Sequence, residues 1–338
     1  MSTDPVAALK EIAFLLERQQ EPTHRVRAFR KAAWTLQDTP ADDVVQRVQR
    51  GTLTELPTLG RTTAGVVAEA VGGSVPSYLV KLRNEAPARL AEGGEAMRTR
   101  LRGDLHAHSD WSDGGSPIEE MAEAAIAVGH DYLALTDHSP RLTIARGLSA
   151  ERLREQLEVV RGLNRRLAPF RILTGVEVDI LEDGRLDQED VLLDELDIVV
   201  ASVHSKLRME SDPMTHRMVA AVANPRVDVL GHCTGRLVTG GRGSRPESQF
   251  DAEVVFEACR QFGVAVEINS RPERRDPPTR LLRLAMDMGC VFSIDTDAHA
   301  PGQLDFLDYG CARAVEAELA PGRVLNTKSA EDLLEYVA

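Results

Sequence analysis

Apolar residues recur at helical spacing through the first ninety residues of the chain. The segments VAALKEIAFLLE and HRVRAFRKAAWTL place apolar side chains three or four positions apart, which is the period of an amphipathic helix. The segment GTLTELPTLGRTTAGVVAEAV predicts a loop, a tight turn at Gly60 and another helix. No strand pattern precedes about residue 100. We therefore predict an all-helical domain over residues 1–90 and a linker over residues 91–101.

Short apolar runs alternate with amphipathic segments over residues 102–338. Stretches such as SPIEEMAEAAIAVG and DAEVVFEACRQFG predict helices between the apolar runs. Seven runs predict strands, and these are GDLHAH, YLALTDH, RILTGVEVD, DIVVASVH, VDVLGH, VAVEINS and VFSIDTDAH. Repeated strand–helix units predict α/β architecture, in which parallel strands are joined by helical crossovers. A closed barrel is favoured over an open sheet because the candidate ligands lie at the carboxyl ends of the predicted strands.

Most of the nine histidines follow the predicted strands closely. In the segment HAHSDWSDG, for example, His106 and His108 alternate along a strand and therefore share a face. Active sites of parallel β/α barrels lie at the carboxyl ends of the strands. Nine candidate ligands occupy such positions: His106, His108, Asp113, His138, Glu177, His204, His232, Asp297 and His299. Nine nitrogen and oxygen donors are too many for one metal ion and enough for two or three. The other histidines, His24, His130 and His216, are expected to be structural or solvated.

Composition and charge limit the functional classes. Hydrophobic residues make up 43% and charged residues 28% of the chain, which is ordinary for a globular protein. Residues 1–100 carry 14 Lys and Arg against 12 Asp and Glu, so the remainder carries 26 against 41, a net charge of −15. An acidic domain binds nucleic acid poorly by charge alone, and bound divalent cations would offset part of it. The four cysteines lack CxxC spacing, and no secretory leader or membrane span is evident, so a cytoplasmic location is expected.

The motifs resemble those of a known superfamily. HAHSDWSDG, LTDHS, GVEVDI, ASVHS, LGH and DTDAH resemble, in order, the motifs of the PHP (polymerase and histidinol phosphatase) superfamily, from Arg102 to about Thr327. This resemblance implies a distorted (β/α)7 barrel, related to the TIM barrel, with three divalent metals (Zn²⁺, Mn²⁺ or Fe²⁺) per chain. The implied ligand sets are His106, His108, Glu177 and Asp297; Glu177 as a bridge, with His204 and His232; and Asp113, His138 and His299.

Within the superfamily, the chain is most similar to the PHP domain of bacterial X-family DNA polymerases. The segments NPRVDVLGHCTGRL and VEINSRPERRD carry this similarity. Cys233 stands where proline is expected, and the insertion VTGGRGSRP is longer than usual. Both departures affect loop detail and leave the chemistry intact.

Residues 5–90 resemble the helix-hairpin-helix domain that opens X-family polymerases. The resemblance implies binding to DNA phosphates through backbone N–H groups, and a packing or dimerisation role is the alternative. Thr58 replaces the first glycine of the usual hairpin, and Val66 replaces the Schiff-base lysine of the lyase members. The linker leaves no room for a polymerase palm domain between the two regions.

A multinuclear metal site suits phosphoester hydrolysis. Asp137 is expected to orient a ligand ring, and four residues after strands are candidates for phosphate binding or else solvated: Lys206, Arg236, Asn269 and Arg271. Three functions stay open at this point. The first is a DNA-end phosphoesterase (3′–5′ exonuclease, 3′-phosphatase or abasic-site endonuclease), the second a phosphatase of histidinol phosphate or a nucleotide, and the third a non-catalytic DNA-binding module. The ligand set argues against the third, and the helical domain favours the first over the second. The oligomeric state stays open.

Overall fold

The computed structural model describes residues 4–239 and 243–338. Residues 240–242, within the insertion VTGGRGSRP, lie outside the described residues. The chain forms two compact units, each with a hydrophobic core of its own. The first unit comprises the chain up to Ala88 together with Pro301–Gln303, and the second comprises Arg89–Ala300 and Leu304–Ala338.

The first unit is helical, as the sequence predicts. Its helices are α1 (Pro5–Arg18), α2 (Thr23–Gln37), α3 (Ala41–Arg50), α4 (Arg61–Val71) and α5 (Ser77–Glu85). Helix α1 begins where the Asp4 side chain accepts hydrogen bonds from the backbone N–H groups of Val6 and Ala7, with Pro5 at the first helical position. The buried face of α1 packs against α2, α4 and α5. Val66 lies in this core, 2% exposed.

The turn before α4 shows how threonine replaces the expected glycine. Thr58 has a φ of 68°, in the left-handed region that favours glycine. Its hydroxyl donates to the Lys31 carbonyl at 3.1 Å and lies 2.7 Å from the Thr35 hydroxyl. The Gly60 N–H then donates to the Thr63 hydroxyl at 2.9 Å, which closes the start of α4. The hairpin therefore keeps its turn because side-chain hydrogen bonds hold Thr58 in place.

The second unit is a parallel barrel of seven strands. The strands are β1 (Gly103–Ala107), β2 (Tyr132–Leu135), β3 (Arg171–Asp179), β4 (Ile198–Ser202), β5 (Val229–Leu230), β6 (Ala265–Asn269) and β7 (Phe292–Asp295). They pair in sequence order, and every pairing is parallel. All seven strands predicted from the sequence are present, so the predicted fold is confirmed.

Helices cover the outside of the barrel. They are α6 (Glu95–Arg98), α7 (Ile118–Ala127), α8 (Ala150–Leu167), α9 (Asp190–Leu193), α10 (Ser211–Val222), α11 (Ala252–Phe262), α12 (Thr279–Asp287), α13 (Leu307–Glu316) and α14 (Ala330–Val337). Their apolar faces pack on strands that are buried along almost their whole length. Within residues 4–239 and 243–338, no helix combines the length and apolar character needed to cross a bilayer.

The barrel closes between β7 and β1 at a seam that has no regular ladder. In the described part of the chain, one isolated parallel bridge joins Ala107 to Ala298. Two buried carboxylates complete the seam, because the Leu105 N–H donates to Asp295 at 2.9 Å and the Thr296 N–H donates to Asp104 at 3.2 Å. Burial raises the pKa of both carboxyls, and the charge of Asp295 raises that of Asp104 further.

Candidate metal centre

The predicted ligands gather around the carboxylate of Glu177, at the carboxyl end of β3. Five histidines from other segments point a ring nitrogen at this carboxylate, which is almost fully buried. The distances are 3.3 Å to His106 Nε2, 3.6 Å to His108 Nε2, 2.9 Å to His138 Nδ1, 3.1 Å to His204 Nε2 and 2.9 Å to His232 Nε2. One carboxylate therefore lies at the centre of a shell of imidazoles.

Three further predicted ligands extend this cluster toward solvent. Asp297 Oδ1 lies 3.4 Å from His108 Nε2, and Asp113 Oδ1 lies 3.5 Å from His138 Nε2 and 3.3 Å from His299 Nε2. The Asp113 side chain is 37% exposed and that of His299 is 22% exposed, whereas Asp297 is almost fully buried. The cluster is therefore open on the side of Asp113 and His299.

Three sets of donor atoms are each compact enough for one ion, with all atoms of a set within 4.8 Å of one another. The sets are His106, His108 and Asp297; His138, Glu177 and His204; and His108, Asp113, His138 and His299. They differ from the sets implied by the resemblance in three ways: Glu177 belongs to one set instead of two, His108 and His138 are each shared by two sets, and His232, which contacts Glu177, belongs to none of them. The structure brings all nine residues together, while their assignment to individual ions stays a prediction.

The donor atoms lack the partners that buried polar atoms normally have. Among the described residues, one or both ring nitrogens of five histidines, and Glu177 Oε2, are buried without a hydrogen bond. The histidines concerned are His106, His108, His138, His204 and His232. An unsatisfied buried polar group costs about 1–3 kcal/mol, so this many would be unfavourable in a site built for no ligand. Imidazole and carboxylate donors suit Zn²⁺, Mn²⁺ and Fe²⁺, so the site fits divalent cations.

Electrostatic interactions within the cluster favour an ionised carboxylate and uneven protonation of the rings. Burial opposes the ionisation of Glu177, but the nearby rings, led by His204 and His106, hold its pKa well below the usual range. Burial disfavours the charged form of His106, yet the carboxylates of Glu177 and Glu267 raise its pKa well above the usual value. Burial and the charges of His299 and His138 lower the pKa of His108 to about 3. Bound cations would compete with protons for these nitrogens.

Glu267 in β6 supports the cluster and was not predicted from the sequence. It is fully buried, and its Oε1 lies 2.6 Å from His106 Nδ1. Its other oxygen accepts from the backbone N–H of His232 at 2.5 Å and from Asn269 Nδ2 at 3.2 Å. With the Nδ1 proton directed at Glu267, His106 presents Nε2 to the cluster. A two-residue alternation with Asn269 along the strand AVEIN was the signal that could have identified it.

Asp179 and Arg274 hold two more of the predicted ligands, His204 and Asp297, and were not predicted from the sequence. Asp179 Oδ1 accepts from the backbone N–H of His204 at 3.1 Å and lies 3.4 Å from its Nδ1. Arg274 Nε donates to Asp297 Oδ2 at 3.1 Å. Asp297 has a φ of 51°, a left-handed conformation that aspartate tolerates better than most residues. Asp179 follows Glu177 by two residues on the same strand face, whereas nothing in the sequence pairs Arg274 with Asp297.

Asp137 holds a loop, whereas the sequence analysis expected it to orient a ligand ring. It is buried and accepts from the Ser109 N–H at 2.8 Å, the Ser109 hydroxyl at 2.6 Å and Gln156 Nε2 at 2.6 Å. The hydroxyl of Ser112 also donates to it. These bonds fix the loop between β1 and α7, which carries Asp113.

The four predicted phosphate-binding residues differ in their surroundings. Asn269 Nδ2 donates to Asp297 at 3.2 Å, and Arg271 donates to Glu273 at 2.8 Å and to the Asp297 carbonyl at 3.1 Å. Arg236 Nε donates to the Arg274 carbonyl at 3.1 Å. Lys206 is exposed, and no hydrogen bond or ion pair of its side chain is found among the described residues.

His299 is oriented by the backbone at Asp297. Its Nδ1 lies 2.9 Å from the Asp297 carbonyl, which also accepts from Arg271. The Arg271 guanidinium, which can only donate, lies 3.0 Å from the same Nδ1, and these two contacts fix the ring with Nε2 3.3 Å from Asp113 Oδ1. Arg271 therefore acts on the centre by holding the segment between Asp297 and His299.

The remaining histidines lie outside the cluster. His24 and His216 are exposed on α2 and α10, as expected for solvated residues. His130 precedes β2, is 5% exposed, and has no hydrogen bond at either ring nitrogen among the described residues. It therefore lies at the opposite end of its strand from the ligands.

Comparisons with known proteins agree with this architecture. The PHP domain family matches residues 104–271, and the family described as a helix-hairpin-helix domain matches residues 3–72. DNA polymerase/3′-5′ exonuclease PolX of Bacillus subtilis (strain 168) is 40% identical over 262 residues, which are 74% of this chain and 45% of that protein. The chain therefore spans less than half the length of this relative.

Shorter relatives match over most of their length. A probable phosphatase of Thermoanaerobacter sp. (strain X514) is 30% identical over 239 residues, which are 66% of this chain and 89% of the relative. The solved structure of histidinol phosphate phosphatase from Lactococcus lactis, complexed with zinc, L-histidinol and phosphate, has 19% identity and a TM-score of 0.48. The match between the two covers 65% of this chain and 95% of the Lactococcus lactis chain. From the family matches and the curated relatives, the chain belongs to the PHP family and is an enzyme of that family, with an N-terminal helix-hairpin-helix domain.

Proposed function

We propose that the chain hydrolyses phosphoester bonds at DNA ends, with divalent metals held by the nine-residue cluster around Glu177. The observation that carries this proposal is the compact set of imidazole and carboxylate groups around Glu177, in which several buried nitrogen and oxygen atoms make no hydrogen bond among the described residues. When bound, such metals lower the pKa of water and offset negative charge on a phosphoryl group. The proposed ligands are His106, His108, Asp113, His138, Glu177, His204, His232, Asp297 and His299.

The protein's own part in this chemistry is to fix the protonation and direction of each donor. Glu177 stays ionised at neutral pH because the surrounding rings favour its charged form. Glu267 takes the Nδ1 proton of His106, which leaves Nε2 directed at the cluster, and the Asp297 carbonyl and Arg271 hold the His299 ring from its Nδ1 side. These donors are thereby arranged before any ligand binds.

Substrate would approach from the exposed side of the cluster. Asp113 and His299 are its most exposed members, so a phosphate can reach them from solvent. Lys206 lies on the loop after β4, two residues beyond His204, and its exposed ammonium is available to bind a phosphate oxygen. We propose Lys206 as a substrate-binding residue, and Asn269, Arg271 and Arg236 as residues that hold the walls of the site.

The helix-hairpin-helix domain supports DNA as the substrate. A hairpin of this kind binds phosphate through backbone N–H groups at a turn and a helix start. The Bacillus subtilis relative is described as a polymerase and 3′-5′ exonuclease, and its similarity to this chain covers 74% of the chain. Residues 1–90 are proposed to hold DNA while the barrel, residues 102–338, hydrolyses it.

A small phosphomonoester is the second candidate substrate. The barrel region carries the whole net negative charge of the chain, which disfavours long polyanions more than small ones. The relatives that match over most of their length are described as probable phosphatases.

The test is a panel of substrates given to the full-length protein. It compares 3′-end-labelled DNA, abasic DNA and histidinol phosphate, each with Mn²⁺, Zn²⁺ or Mg²⁺. We expect the highest kcat/KM on one of the DNA substrates, with Mn²⁺ or Zn²⁺. A higher kcat/KM on histidinol phosphate would favour the second candidate. Folded, metal-loaded protein that hydrolyses none of them would contradict both.

A further inference from the structure

A cavity of about 350 Å³ lies beside the metal centre and is lined by four arginines. It is bounded by the segment after β6 and by helix α13, which both belong to the second unit. The arginines are Arg236, Arg271, Arg275 and Arg313, and Asn269 and Glu316 also contribute. The cavity thus has four positive side chains and one negative one on its walls.

Two of these arginines form no ion pair among the described residues, although the carboxylates of Asp276 and Glu316 act on Arg313 at longer range. Arg271 pairs with Glu273 at 2.7 Å, and Arg236 pairs with Glu247 at 3.4 Å. In contrast, the Arg313 guanidinium donates to the backbone carbonyls of Asp276, at 3.2 Å, and Pro277. Arg275 is exposed, and its side chain makes no hydrogen bond or ion pair within the described ranges. Arg275 therefore brings to the cavity a positive charge that is paired with no carboxylate of the described residues.

The guanidinium groups also repel one another. Burial, with the charges of Arg236 and Arg275, lowers the pKa of Arg313 to about 10, although Asp276 and Glu316 act in the opposite direction. Cations brought together in this way are unfavourable unless an anion joins them. Phosphate is a suitable anion, because guanidinium groups bind it through paired hydrogen bonds.

The backbone at Arg275 is held in an uncommon conformation. Its φ is 49°, in the left-handed region, although the residue is an arginine. The conformation is fixed because the Arg275 N–H donates to the Arg271 carbonyl at 3.1 Å and the Arg275 carbonyl accepts from Arg236. Strained residues that persist in this way are common at ligand-binding sites.

The wall of the cavity is shared with the metal centre. Asn269 and Arg271 line the cavity, and they also contact the metal-ligand segment, at Asp297 Oδ2 and at the Asp297 carbonyl. Asn269 and Arg271 thus each contact both the cavity and a proposed ligand residue, Asp297. A substrate bound at the metals could extend into the cavity with its next phosphate.

We propose that this arginine cavity binds a second phosphate of the substrate, the one next to the phosphate that is hydrolysed. The inference rests on the proposed function, and it narrows the substrate class to chains of nucleotides. A small phosphomonoester has no second phosphate to place there. The cavity would therefore distinguish a nucleic-acid end from a small phosphate ester.

The test compares two labelled trinucleotides in the full-length protein. One has ordinary phosphates, and in the other the linkage next to the scissile one is an uncharged methylphosphonate. We expect wild type to prefer the charged substrate by about tenfold in kcat/KM, in keeping with the loss of one charged hydrogen-bonding partner. Arg275→Gln should reduce this preference to about threefold or less, and Arg275→Lys should retain part of it. Arg283→Gln, an exposed arginine on α12, is the matched control and should keep the wild-type preference.

A binding measurement separates failure of the cavity from failure of the proposed function. The same pair of trinucleotides, made resistant to cleavage by a terminal phosphorothioate, is titrated by fluorescence anisotropy. If wild type cleaves neither substrate, the proposed function fails, and the binding preference still decides whether the cavity holds a phosphate. Equal preference in wild type and Arg275→Gln, in both measurements, would overturn the inference.

Discussion

Replacement of Glu267 by glutamine should weaken the metal centre while leaving its shape almost unchanged. Glu267 offers two acceptor oxygens, one to the His106 ring and one to the His232 N–H. Glutamine has one acceptor oxygen and one donor nitrogen, so Glu267→Gln leaves one of these two donors without an acceptor. It also removes the negative charge that helps to raise the pKa of His106. Both changes reduce the basicity and order of the proposed ligands.

The size of the effect follows from the role of Glu267. Loss of a carboxylate that holds a metal-binding histidine lowers metal affinity or activity about 10- to 100-fold. This corresponds to about 1.4–2.7 kcal/mol, since each factor of ten is 1.36 kcal/mol. The buried donor left unsatisfied should lower the free energy of unfolding of the metal-free protein by about 1–3 kcal/mol.

The assay has three parts. Metal affinity is measured by competition with a chromophoric chelator, hydrolysis by kcat/KM on p-nitrophenyl phosphate, and stability by urea unfolding. Glu253→Gln, which makes the same change on the exposed face of α11, is the control. The reasoning is refuted if Glu267→Gln keeps both metal affinity and kcat/KM within about threefold of wild type, well short of the expected loss.

Four further outcomes are expected. Elemental analysis of the purified protein should find about two to three divalent ions per chain, and a folded sample with at most one would contradict a multinuclear site. His106→Ala and Asp297→Ala should each reduce hydrolysis below about a tenth of wild type with an unchanged circular dichroism spectrum, because each removes a proposed ligand. His130→Leu should leave hydrolysis unchanged but make the free energy of unfolding less dependent on pH under acidic conditions. Burial and the charge of Arg98 lower the pKa of folded His130 to about 3. Below an unfolded-state pKa of about 6.5, only the unfolded chain gains the proton. The free energy of unfolding of wild type should therefore fall by about 1.4 kcal/mol for each pH unit of acidification, and the variant should not show this loss. Urea unfolding at several pH values measures the difference. Deletion of residues 1–88 should weaken DNA hydrolysis about tenfold while p-nitrophenyl phosphate hydrolysis barely changes, and only the full-length activity on DNA should fall steeply with salt.

The strands and the position of the site could be predicted because both depend on local patterns. Alternating apolar residues locate each strand, and a histidine or carboxylate at its carboxyl end indicates the face where the ligands meet. The partners of those ligands depend on tertiary packing. In the sequence, Glu267 is only an acidic residue within an apolar strand. Its contact with His106 exists only in the folded barrel, so it could not be predicted from the sequence. Arg271 and Arg236 were identified as cations near the site, but their pairing with Glu273 and Glu247 is set by loop geometry.

Besides the partners of the ligands, the backbone conformation of several residues could not be predicted from the sequence. Thr58 stands where the usual hairpin has glycine, yet it adopts the left-handed conformation through hydrogen bonds to residues more than twenty positions away. Arg275 also has a positive φ value that its residue type does not favour, and Asp297 has one that aspartate tolerates but that its neighbours in the sequence do not predict. In each case the conformation is held by contacts from other segments, so no local rule predicts it.

The seam between β1 and β7 has a consequence for the protein when metal is scarce. Where the backbone ladder is reduced to one bridge, the two sides of the seam carry His108 and Asp297, so an ion bound by both would fasten one strand to the other. Without that ion, the seam keeps the Ala107–Ala298 bridge, the hydrogen bond from the His108 N–H to the Ala298 carbonyl, and the bonds to Asp104 and Asp295, whose charged forms are disfavoured by burial. An opened seam leaves two unpaired strand edges, and such edges add to the edges of other chains. Metal starvation would then favour aggregation by strand addition at β1 and β7, so metal supply would set the lifetime of the folded chain as well as its activity.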